Sequence, residues 1–209
     1  MDTDALNTVG LNLPEPSELC NRIKSMAMLD AILSPEWQYR FFSFNVAWTE
    51  ETQLGSVRDG SGIELFFVFT DGRCAFKIND AEHLSAMTNG ATTAIPPEYL
   101  SVLSEPAFSP ADFTAFGWFD SLSGLWHEVS SESPIGTTPL VASIFASHLP
   151  MTPGDYKTWA EEYYEVDIDI HDVKAIFDRT ALIDELVQSL NNEISLPVLV
   201  EDELEIGYP

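Results

Sequence analysis

Positive charge is nearly missing from this chain. Nine lysines and arginines stand against 34 aspartates and glutamates, and none falls between Lys77 and Lys157, which leaves a formal net charge of -25. Charged residues are only 21% of the sequence, so the imbalance is a depletion of cations on an otherwise ordinary globular composition. Too few bases are present to neutralise a row of phosphates, which argues against nucleic-acid binding. The same field repels anionic membrane and favours cationic surfaces.

Cysteine is scarce as well. Cys20 and Cys74 lie far apart with no C-x-x-C pair, one in a predicted helix and one in a predicted strand, so two buried free thiols are expected. No apolar run approaches the ~20 residues of a spanning helix. The acidic N-terminus carries no apolar h-region, and the reading from sequence is a soluble, cytoplasmic protein.

Motifs for chemistry are thin too. His83, His127, His148 and His171 form neither H-x-x-x-H nor H-E-x-x-H, and no cofactor or metal is implied. The stretch Asp167-Ile-Asp-Ile-His-Asp172 resembles a calcium loop, but Asp172 and Asp178 occupy the places where an EF-hand needs glycine and glutamate. Arg58-Asp-Gly-Ser-Gly62 lacks the first glycine of a nucleophile elbow and the G-K-[ST] of a phosphate loop. It reads as a turn, with Arg58 paired to a carboxylate. No catalytic residue is assigned.

What is present is aromatic and aliphatic bulk. Thirteen Phe, five Trp and six Tyr provide burial that a disordered acidic chain would lack. A single domain over 1–209 is expected: a loose arm over 1–16, a helix plus antiparallel sheet over 17–129, and a helical acidic part over 135–209. The first helix is predicted from Ser17 as N-cap to Ser34, with Leu19, Ile23, Met26, Leu29 and Leu33 as its buried stripe.

From Tyr39 the period becomes two: Phe42, Phe44, Val46 and Trp48 alternate with smaller residues, and Leu54–Asp59 adds a short strand. Ile63–Thr70 is apolar on both faces, and Asp71-Gly72 turns it back into Cys74, Phe76 and Ile78. Residues 80–112 read as loop with a short helix over Pro97–Leu103 and a turn at Ser109-Pro110-Ala111-Asp112. Phe113–Phe119 and Gly124–Val129 form a second hairpin. Thr138-Pro139 and Thr152-Pro153 each place a capping residue before a helix-opening proline. Further helices fit 170–178 and 180–191, and 195–209 is an apolar, then acidic, tail. The fold class is α+β: an N-terminal helix, a central antiparallel β-meander and a helical C-terminal part.

The acids are unevenly spread. Residues 1–79 carry net -5, residues 80–150 net -8 and residues 151–209 net -12. In the helix after Thr152, Tyr156, Trp159, Ala160 and Tyr163 form the apolar face, and Glu161, Glu162 and Glu165 fall opposite. With Asp167, Asp169 and the tail group Glu201, Asp202, Glu203 and Glu205, these form the candidate partner-binding surface. Ordinary helix surfaces intersperse both signs, whereas these acids have few cationic neighbours.

Leu33-Ser-Pro-Glu-Trp-Gln-Tyr-Arg-Phe-Phe-Ser-Phe-Asn-Val-Ala-Trp48, Gly55-Ser-Val-Arg-Asp-Gly-Ser-Gly62 and the Phe66–Gly72 hairpin resemble uncharacterised bacterial immunity-like proteins of polymorphic and type VI secreted toxins. The resemblance covers about residues 30–130 and rests on structural positions. It implies a non-catalytic inhibitor whose partner is a cognate, cationic toxin, with no nucleic acid and no membrane. Two other readings are a small enzyme or ligand-binding domain from a salt-adapted organism, and an acidic nucleic-acid mimic.

Overall fold

The structure, a computed structural model, describes residues 11, 13–83, 85–86, 89–108, 112–130 and 139–209. The first helix, α1 (Pro16–Leu33), opens on Pro16 with Glu15 as a cap residue that makes no side-chain bond. Ser17 therefore lies inside the helix, because proline with its fixed φ and missing N–H takes the first position. The predicted single buried stripe is also too narrow: every residue from Ile23 to Ile32 is buried. Small residues such as Ser25, Ala27 and Ala31 let neighbours close in on all sides, and the Ser25 hydroxyl donates to the Ile176 carbonyl at 3.1 Å.

Six strands form one antiparallel sheet: β1 (Phe42–Asn45), β2 (Gln53–Arg58), β3 (Ile63–Thr70), β4 (Arg73–Asp80), β7 (Ala115–Asp120) and β8 (Leu125–Ser130), hydrogen-bonded in that order. The fold is α+β with a meander sheet, as the sequence predicts. β1 is shorter than expected. The Asn45 side chain accepts the Ala47 N–H at 2.8 Å and the Val46 N–H turns to the Glu205 carbonyl at 2.7 Å, so Val46 and Trp48 leave the sheet. Between β4 and β7 the chain adds a small pair, β5 (Ser85–Ala86) with β6 (Asp112–Phe113), and two short helices, α2 (Asn89–Ala94) and α3 (Leu100–Leu103). Thr138 and Ser109-Pro110-Ala111, together with most of the predicted N-terminal arm, lie outside the described residues.

Both faces of the sheet are covered. On one, Phe42, Val57, Leu65, Phe67, Phe76 and Ile78 pack under α1 and the C-terminal helices. On the other, Leu54, Phe66, Val68, Phe116, Trp118 and Val129 meet Ile95, Tyr99, Val102, Leu103 and Phe108. The alternation of Phe66 and Val68 against Phe67 and Phe69 is therefore two buried faces. Gly55 marks where α1 crosses the sheet: a Cβ there would lie 2.8 Å from the Ile23 side chain.

The C-terminal part holds α4 (Pro139–His148), α5 (Pro153–Tyr163), α6 (Ile170–Phe177), α7 (Asp184–Leu190) and α8 (Val200–Ile206). Thr152 caps α5 by accepting the Asp155 N–H at 3.2 Å. The last helix, α8, replaces the predicted tail. Glu201, Asp202 and Glu203 stand in its first turn, where acids suit the helix dipole, and Gly207 ends it in the left-handed conformation (φ 66). Pro197 obscures this in the sequence, because a short 3-10 turn over Leu196–Leu199 absorbs it before the helix begins. No helix among the described residues is long and apolar enough to cross a membrane.

Candidate functional site

The segment between α1 and β1 cannot continue the helix past Pro35, and it folds into a 3-10 turn, Trp37–Tyr39, whose residues are all exposed. Trp37 is 54% exposed and Tyr39 60%, unusual for large aromatic side chains in a chain with so much core. Opposite them, α5 ends at Tyr163, which is 43% exposed. Together with Ser34, Arg40, Phe41, Ser43, Arg58, Gly60 and Tyr164 they enclose a cleft of about 570 Å³.

Tyr163 was expected in the core stripe of its helix. It stacks on Trp159 at 5.0 Å and meets Phe41 edge-on at 5.3 Å, but its outer face opens into the cleft because the helix stops there.

Behind the cleft lies Asp30, fully buried on α1. It accepts the N–H groups of Phe41 (2.9 Å) and Phe42 (2.7 Å) and the hydroxyls of Tyr156 (2.6 Å) and Tyr164 (2.8 Å). Burial pushes its pKa up to about 6, against the pull of those four donors. The same burial and the charge of Asp30 push the Tyr156 and Tyr164 phenols up, so neither is a ready proton donor. The network fastens α1, the edge of β1 and α5 together, and holds Phe41 and Tyr164 in place as cleft wall.

Two arginines reach the cleft and differ in what they do. Arg40 is a structural fastener: its guanidinium bonds both oxygens of Asp202 and donates to the carbonyls of Ser34 (2.9 Å) and Pro35 (2.9 Å). Arg58 lies over Trp37, 5.5 Å from the ring centroid, with its Nε 3.6 Å from Glu64. The expected pairing of Arg58 with a carboxylate is thus met by Glu64, its cross-strand neighbour, in a solvent-exposed ion pair that is longer than a hydrogen bond.

The Arg58–Gly62 turn is held by Asp59, which accepts the N–H groups of Ser61 (2.8 Å), Gly62 (3.0 Å) and Ile63 (2.9 Å) and the Ser61 hydroxyl. Burial works to raise its pKa, and the hydrogen bonds, the Ser61 hydroxyl first, outweigh it and leave the carboxyl below its ordinary value. His148 Nε2 is 3.5 Å from the same carboxylate. The carboxylate thus sits between hydroxyl and imidazole, the reverse of the serine–histidine–acid order that activates a nucleophile. Among the described residues no cluster of three or more His, Cys, Asp or Glu could hold a metal ion.

The nine candidate acids divide by what they touch. Glu161 pairs with Lys157 and accepts the Ile168 N–H at 3.3 Å, closing the turn between α5 and α6. Asp169 caps α6 through the His171 N–H at 2.8 Å, Asp202 holds Arg40, and Glu205 accepts from Asn45 at 3.3 Å. Glu203 is half-buried, and that burial raises its pKa. Glu162, Glu165, Asp167 and Glu201 are exposed. Tyr163 and Tyr164 at the end of α5 line the cleft, and α8 is tied to it through the pair of Asp202 with the lining residue Arg40.

Sequence reasoning passed over Trp37, Tyr39, Tyr163 and the aromatic side of Arg58. The available signal was Trp37-Gln-Tyr39, two aromatics after Pro35 that fit neither helical nor strand periodicity. Compared with known proteins, the chain matches no family model, no curated protein and no solved structure.

Proposed function

We propose that this protein is a non-catalytic inhibitor that binds and neutralises a basic protein, in the manner of an immunity protein with its cognate toxin. The observation that carries the reading is the exposed aromatic group Trp37, Tyr39 and Tyr163 around one cleft, with exposed acids on the adjoining end of α5 and on α8. Trp, Tyr and Arg are the residues that dominate binding energy at protein interfaces. Unbalanced negative charge accelerates encounter with a cationic partner and discriminates against acidic ones. Anchoring and steering thus come from different side chains of one surface.

The test is to ask whether a secreted toxin is encoded beside this protein's gene and to measure association with its purified toxin domain; a neighbourhood without one, and no basic polypeptide captured, overturns the reading. Glu162→Lys, Glu165→Lys and Glu201→Lys combined should slow association about tenfold or more at low salt and flatten its salt dependence. Trp37→Ala and Tyr163→Ala should instead speed dissociation. Unchanged affinity in both sets would overturn the choice of surface. The size of the cleft favours one second reading, a small-molecule site, since such sites occupy roughly 300–1,000 Å³.

A further inference from the structure

We infer that Arg58 is a carboxylate-anchoring residue within this surface: it receives an acidic side chain of the basic partner, opposite in sense to the surrounding contacts. The inference rests on the interface reading above. Arg40 has spent its donors on Asp202 and two carbonyls, and its side chain is only 7% exposed. The Arg58 side chain is 41% exposed and its guanidinium makes no hydrogen bond with the described residues. Its ion pair with Glu64 is half-exposed and, at 3.6 Å from Nε, longer than a hydrogen bond, so the N–H groups of the fork can still close on a second carboxylate. Asp59, next in sequence, is occupied by Ser61, Gly62 and Ile63.

The arginine is also held in position. Its guanidinium carbon lies 5.5 Å from the Trp37 ring centroid and 5.9 Å from that of Phe66. Ring contact of this kind orients the guanidinium plane and leaves its N–H edge available. A planar fork fixed in advance loses little side-chain entropy when it closes on a carboxylate with two parallel hydrogen bonds. The source of that carboxylate follows from the rest of the molecule. A net charge of -25 holds free small anions to weak binding, visible only in excess, whereas an acidic side chain on a basic polypeptide is carried in by its cationic neighbours. One reversed ion pair at the aromatic centre then fixes the register of a partner that steering alone would leave free to slide.

Two measurements test this. In the first, the isotopically labelled full chain is titrated with benzoate, and with benzyl alcohol as the uncharged ring. Benzoate should shift the Arg58 Nε–H and Trp37 indole resonances and benzyl alcohol should not. Arg58→Gln should remove the Trp37 shift and Arg58→Lys should weaken it several-fold, each with an unchanged thermal melt. No shift, or a Trp37 shift that survives in Arg58→Gln, overturns the inference.

In the second, Arg58→Lys is compared with wild type for binding to the toxin. Dissociation should quicken about tenfold while the salt dependence of association stays as in wild type. Equal affinity overturns the Arg58 assignment and leaves the interface reading standing. A benzoate response in a protein that engages no basic polypeptide overturns the assignment to a partner and the interface reading together, leaving a site for free carboxylates.

Discussion

Asp30 shows how much one residue organises here. A carboxylate without a cation, in the interior, is costly unless its lone pairs are filled, and four donors from two elements, the edge of β1 and α5, fill them. Its folded pKa of about 6 exceeds its ordinary 3.8, so the native state binds a proton more tightly than the unfolded chain does. The favourable contribution is complete below the unfolded value and is lost as pH rises through about 6. Wild type should therefore gain stability relative to Asp30→Asn as pH falls from above 6 toward 4, by up to about 3 kcal/mol. Denaturant titrations of the two proteins over that range measure it, and a flat difference would remove the account. The network was hidden in the sequence. Asp30 lies in an apolar helix as one more acid among 34, and nothing local connects it to Tyr156 or Tyr164.

Among the elements, α8 shows most clearly the distinction between an acid that binds and an acid that holds. Asp202 is 19% exposed and carries the Arg40 guanidinium, which fastens α8 beside the cleft. Removing it strands a buried cation, so Asp202→Ala should cost about 2–4 kcal/mol. Amide hydrogen exchange should quicken throughout α8, whereas Glu162→Gln should leave stability unchanged. Between β4 and the edge strand β8, a Cβ at Gly117 of β7 would lie 2.2 Å from the Phe76 ring and 2.7 Å from the His127 carbonyl. The carbonyl belongs to the paired strand and has no room to yield, so Gly117→Ala should lower stability by about 2 kcal/mol or more, read from a thermal melt.

The sheet itself was legible because period-two alternation survives wherever one or both faces are buried, as in Phe66 to Phe69. The boundaries at Ser17 and Val46 were not, since a proline at the first helical position and a hydrogen bond from a residue about 160 positions away decided them.

At the scale of the molecule, the charge opposes folding while it serves association. Like charges at this density repel within a compact body, and salt screens them over a Debye length of about 8–10 Å. Thermal midpoints should rise by roughly 5 °C or more between low and moderate sodium chloride. A midpoint indifferent to salt would mean that local pairing already balances the acids. The pairs among the described residues argue otherwise: Lys157 with Glu161, Arg22 with Glu18, Arg40 with Asp202 and Arg58 with Glu64 account for few of the carboxylates.

By itself the amino-acid sequence determined the class of fold and the sign of the field. Both are properties of composition and short-range periodicity, and both can be read without knowing what touches what. Only the tertiary structure decided where a partner could hold on. The cleft assembles residues 34–43, 58–60 and 163–164, and the pairing of Arg40 with Asp202 joins positions 162 residues apart. Which acids remain available, and which arginine keeps its donors, depends on contacts that no spacing along the chain encodes.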